Sequence, residues 1–141
     1  MHLLQRTYGT MILAAPDPEA ARALVDQAEA TMGDKDACSF CIVMLAVPSA
    51  IACAEVGDLD QARHYARVAE ASAVRWPGTA WGAAATEARA HIARAESSPS
   101  DAAALFTEAA RGFEAAGQPG DAARCLRSLE SLQVSMASRS S

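Results

Sequence analysis

A chain of 141 residues with 35 alanines and only 7 aromatic residues can bury one domain's core, but it is too poor in aromatic and β-branched side chains for a β-sandwich or barrel. A hydrophobic content of 51% excludes a disordered chain. The formal charge of −5, with scattered arginines and Lys35 as the only lysine, excludes the basic stripe of a nucleic-acid-binding surface.

The first element, Met1–Ala14, is a helix that stops at Pro16. It carries Arg6 and Tyr8 inside its apolar pattern and lacks the charged-then-apolar layout of a secretory signal. Asp17 is a natural N-cap, with Pro18 at the first helical position, for a helix reaching about Met32. Gly33–Asp36 reads as a loop. An apolar helix covers Cys38–Val56, kinked or divided at Pro48 and ended by Gly57. Its most apolar run, Cys41–Ala54, is shorter than the roughly 20 residues a membrane helix needs, which predicts a core helix and no membrane association.

Asp58 caps the next helix, Leu59 to about Arg75. Leu59, Ala62, Ala66, Ala69 and Ala73 form its apolar stripe, widened by Tyr65, Val68 and the small Ser72. Arg63, His64 and Arg67 sit among Asp58, Asp60 and Glu70, the pattern of a solvated face. Pro77-Gly78 breaks the chain before a helix over Thr79–Glu96. Ser97–Ser100 is a turn with Ser100 as cap, and Asp101–Ala116 is the sixth helix, ended by Gly117. A last helix spans about Gly120–Gln133, leaving Val134–Ser141 as a frayed polar tail. The expectation is one domain, 1–133, with a tail at 134–141. Short connections make consecutive helices antiparallel neighbours. Four cysteines in a helical chain fit a reducing cytoplasm better than a disulfide scaffold.

Self-similarity is the strongest signal. The pattern Ala-x3-apolar-x2-Ala occurs at Ala21, Val25, Ala28, again at Ala62, Ala66, Ala69, and again at Ala102, Phe106, Ala109, at steps of 41 and 40 residues. A weaker echo follows at Ala122, Leu126, Leu129. Two of the preceding turns also match, Gly57-Asp-Leu-Asp-Gln-Ala62 and Gly117-Gln-Pro-Gly-Asp-Ala122.

On these residues the chain resembles the tetratricopeptide (TPR) family. The small-large-small spacing is similar to the second helix of a TPR hairpin, and Gly-Asp-Leu-Asp-Gln-Ala is similar to its inter-helix turn. The period near 40, with Cys38-Ser-Phe-Cys41, Gly78-Thr-Ala-Trp81 and Ala116-Gly-Gln-Pro119, resembles the TPR-like arrays of large LuxR-type ATP-binding bacterial transcriptional regulators. The resemblance implies a sensor or coupling domain, an all-α, right-handed superhelix of about three antiparallel hairpins plus a C-terminal capping helix. A concave surface would be lined by the first helix of each pair.

Cys38-Ser-Phe-Cys41 is the sharpest chemical motif. At a helix start both thiols share a face, and the helix dipole lowers the pKa of the first. The pair suits a redox dithiol, a zinc site with Cys53 and His64 as the nearest further ligands, or small core packing. Cys53 and Cys125, among alanines, suit core packing. Glu87 and His91 are spaced as an i,i+4 surface pair. No nucleophile elbow, phosphate loop or His-Glu-x2-His motif occurs, so no enzyme is expected and zinc is the sole cofactor considered.

Trp76 and Trp81 bracket a hairpin junction. Each suits a plug between repeats or a binding anchor in the groove, with Arg89, Arg94 and Arg111 as outlying polar contacts. Leu3, Leu4, Met11, Ile12 and Leu13 give the first helix an apolar surface suited to a homodimer. The expected function is therefore a protein- or peptide-binding module or regulatory scaffold. The alternative is a metal- or redox-responsive sensor using Cys38 and Cys41.

Overall fold

A computed structural model describes residues 2–33 and 37–141, which form seven α-helices and no strand. They are α1 (His2–Leu13), α2 (Pro18–Met32), α3 (Val43–Glu55), α4 (Leu59–Ala73), α5 (Trp81–Ala95), α6 (Pro99–Ala115) and α7 (Pro119–Arg139). The loop expected at Gly33–Asp36 lies, beyond Gly33, outside the described residues, as does Met1.

Local chemistry sets the boundaries. The Asp17 carboxylate accepts a hydrogen bond from Ala20 N at 2.7 Å, and Pro18 opens α2 behind it. Asp58 accepts from Gln61 N at 3.4 Å at the start of α4. Three hairpin turns share one closure. Asp58 N donates to Cys53 O (2.9 Å), Ser98 N to Ala93 O (2.9 Å) and Gln118 N to Phe113 O (2.8 Å). Each is a Schellman turn, and each needs a left-handed residue before the donor. Gly57 (φ 80°) and Gly117 (φ 73°) supply two of these, while Ser97 adopts φ 61° with a side chain.

Packing is pairwise and then sequential. α1 packs on α2, α3 on α4 and α5 on α6; α1 also packs on α3, and α3 on α5. The second helices α2, α4 and α6 each reach the next element, α3, α5 and α7. The repeated triplets are the seams of this stack. Ala21, Val25, Ala28, Ala62, Ala66, Ala69, Ala102, Phe106 and Ala109 are all buried. Small side chains let the axes close up. Gly112 marks one such approach, where a Cβ would stand 2.9 Å from Ala83 Cβ. Tyr65 adds a polar tie, its buried ring donating a hydroxyl hydrogen bond to Glu29.

Several expectations change. Cys38–Ile42 is a turn, so α3 begins at Val43. Pro48 does not divide α3 but is buried within it. Ser98, not Ser100, precedes α6, whose first residue is Pro99. The stretch Val134–Arg139 continues α7 as an exposed helix in place of a frayed tail. The buried row of α7 is Ala122, Cys125 and Leu132, and Leu126 of the weaker echo is exposed, because the helix presents a different register to α6.

Candidate functional site

Residues of α1, α3, α5 and α7, with Phe113 of α6, line a groove of about 620 Å³. Leu13 of α1, Met44 and Ile51 of α3, and Trp81 of α5 supply its apolar lining, and α7 closes one end with Arg124. Trp81 is the first residue of α5 and lines this groove. An apolar concavity with a few fixed polar groups is the usual form of a binding site.

The polar end is tightly built. Glu87 is 2% exposed and is held bidentately by Arg124, with Nε–Oε1 at 2.8 Å and Nη2–Oε2 at 2.7 Å. Arg124 also pairs with Asp121 and lies 5.6 Å over the Phe113 ring. The hydrogen bond to Glu87 drives the Arg124 pKa up against the desolvation that opposes it. The expected Glu87–His91 surface pair is not formed, because both side chains are buried and each meets another helix. His91 packs edge-on against Phe106 at 5.2 Å, its Nδ1 lies 3.0 Å from Arg94 Nη2, and it stands 3.4 Å from Glu55. The hydrogen bond to His91 holds the Glu55 carboxyl below its usual range in spite of partial burial, with Arg94 acting in the same sense. Arg94 is thus occupied by Glu55, and Arg89 pairs with Glu70 at 3.3 Å.

The cysteine motif lies elsewhere, at the turn before α3. Cys38 O accepts from Cys41 N (3.1 Å) and Ile42 N (2.9 Å). Ser72 Oγ donates toward Ser39 O (3.0 Å) and Phe40 O (3.1 Å), and Trp76 Nε1 donates to Phe40 O at 2.6 Å. Phe40 meets Trp76 edge-on at 6.1 Å. Trp76 therefore braces this turn and does not line the groove.

His2 joins the two thiols, its Nδ1 standing 3.2 Å from Cys41 Sγ, and the ligand atoms of His2, Cys38 and Cys41 lie within 4.8 Å of one another. Cys53 is fully buried and His64 is exposed, and neither belongs to the cluster. Desolvation works to raise the Cys38 pKa but is outweighed by hydrogen bonds from the Cys41 N–H, the Cys41 thiol and the Phe40 N–H, so the thiol sits below its ordinary value. That shared hydrogen bond raises Cys41. Burial pushes Cys53 up to about 11 and Cys125 up to about 12, as expected for core thiols.

On α1, Leu3 and Met11 are exposed, Leu4 is half-buried against the core, Ile12 is buried, and Leu13 reaches the groove rim. Ile51 and Arg124 of the groove and His2 beside the thiols are site residues the sequence did not mark. Comparison with protein-family models, with curated proteins and with solved structures finds no match to this chain.

Proposed function

We propose that this chain is a TPR-like interaction module, a right-handed stack of three hairpins and a capping helix, whose groove takes an apolar peptide segment of a partner protein. The single observation behind this reading is that the groove is lined mainly by α1, α3, α5 and α7, with Phe113 of α6 at one end, while the repeated alanine triplets of α2, α4 and α6 are buried. The proposed role is binding and not catalysis. Its setting is bacterial transcriptional regulation in the cytoplasm, as the resemblance to the regulator arrays implies.

Binding works by shape and desolvation. A partner's large apolar side chain seats between Trp81, Met44 and Ile51, where Trp supplies broad contact area at small entropic cost. The bidentate Glu87–Arg124 pair keeps the polar end of the groove rigid, so little is lost to reordering on binding.

Selection of a random-peptide library on the folded chain tests this. The selected peptides share apolar anchors, and Trp81→Ala weakens them about thirty-fold, the loss of an anchor of about 2 kcal/mol. Leu13→Asp, at an exposed rim position, weakens them as well. Arg67→Ala on the outer face of α4 leaves them unchanged. Peptides that bind the Trp81 and Leu13 variants as tightly as the parent would overturn the groove assignment.

A further inference from the structure

We infer that His2, Cys38 and Cys41 form a three-ligand zinc site that fastens the start of α1 to the turn preceding α3. The site is separate from the groove, and its existence does not depend on peptide binding.

The donors fit the ion. Two thiolates and one imidazole make a borderline-soft set of two sulfurs and one nitrogen, the kind that selects Zn2+ over Mg2+ or Ca2+. A tetrahedral zinc with Zn–S about 2.3 Å and Zn–N about 2.0 Å places its ligand atoms roughly 3.5–3.8 Å apart. Here His2 Nδ1 is already 3.2 Å from Cys41 Sγ, and all three atoms fall within 4.8 Å, so closure onto the ion takes only side-chain adjustment. His2 is exposed and both thiols are partly accessible, so the ion has an open path. Three protein ligands leave the fourth position to water or an exogenous donor.

The support around the ligands is the second argument. A Cys-x2-Cys chelate works only if the turn between the sulfurs is held, and here it is held from a distant helix end. Cys38 O is bonded twice within the turn, Ser72 Oγ reaches the Ser39 and Phe40 carbonyls, and Trp76 Nε1 fixes Phe40 O. Ser72 is buried and bonds the Ser39 and Phe40 carbonyls, so it sets the backbone between the two thiols. Such outer partners orient ligands and tune metal affinity. Cys53 and Cys125 serve as internal contrasts, since each is buried with no second ligand in any cluster among the described residues.

The test uses reduced, metal-free full chain carrying no added N-terminal residues, titrated anaerobically with Co2+ as the spectroscopic probe. One equivalent produces thiolate-to-cobalt charge transfer and the d–d bands of a four-coordinate ion, and one equivalent of Zn2+ abolishes both. Cys38→Ser, Cys41→Ser and His2→Gln each weaken Zn2+ about tenfold or more, as loss of a ligand requires. Cys125→Ala, which removes a thiol outside the site, binds as the parent does. Zn2+ also raises the Tm of the parent by more than that of His2→Gln, because stabilisation by a bound ion falls as its affinity for the folded chain falls. Absence of the charge-transfer band at stoichiometric Co2+ would overturn the site. Parent-like Zn2+ affinity and Tm response in His2→Gln would overturn the three-ligand assignment.

Discussion

Gly9 and Met44 meet backbone to backbone: a Cβ on Gly9 would stand 2.0 Å from Met44 O. The reason that carbonyl faces outward is chemical. Its intrahelical donor would be the N–H of residue 48, and Pro48 has none. The bare face of Gly9 fits against the freed oxygen, and α1 reaches α3 at that point.

Gly9→Ala therefore destabilises the fold by about 3 kcal/mol, the upper range for overpacking, since backbone and not a flexible side chain blocks the methyl. Gly82→Ala is the matched control. Nothing lies within 4 Å of its added Cβ, and a helical alanine there stabilises by about 0.5–1 kcal/mol. Urea denaturation of the two variants shows opposite signs.

The turn between α5 and α6 stores strain at Ser97, whose φ of 61° is tolerable for glycine and unfavourable for a residue with Cβ. Ser97→Gly brings this turn into line with those at Gly57 and Gly117 and stabilises by about 1 kcal/mol. A rise in Tm with an unchanged helical CD spectrum is the expected result.

Arg124→Met leaves the Glu87 carboxylate buried without its partner. Loss of a fully buried pair partner costs about 3–5 kcal/mol, but the Arg124 side chain is 46% exposed, so about 2 kcal/mol is expected. The double variant Glu87→Leu with Arg124→Met recovers much of that loss. Equal destabilisation in the single and double variants would show that packing, and not the orphaned charge, sets the effect.

Acid weakens the contact between α3 and α5 at Glu55. The carboxyl lies below the ordinary 4.5 in the folded chain, chiefly through His91, so the folded state binds fewer protons than the unfolded one. Its stabilisation is complete above 4.5 and is lost as pH falls through the depressed folded value. Glu55→Gln flattens this part of the stability–pH curve, as denaturation midpoints measured across that range report.

Local signals were readable from sequence where the cause is local. Asp17 and Asp58 cap their helices, Gly57 and Gly117 take left-handed backbone, and the three repeated triplets are buried. The unreadable features depend on distant partners. Cys38–Ile42 has the composition of a helix start, yet Ser72 at the end of α4 and Trp76 just beyond it hold its carbonyls in a turn. Glu87 is spaced to meet His91, but Arg124, 37 residues on, offers a bidentate match. His2 reaches Cys41 across 39 residues, beyond any spacing rule for ligands. Trp81 was visible as an anchor candidate, while nothing in the sequence separated its surroundings from those of Trp76.

The most direct test of the groove assignment is amide and indole chemical-shift mapping of the 15N-labelled chain with a library-selected peptide. Saturable shifts are expected at Met44, Ile51, Glu87 and the Trp81 indole, with the Trp76 indole unmoved. Shifts confined to Arg63, Arg67 and Glu70 on the outer face of α4 would contradict it.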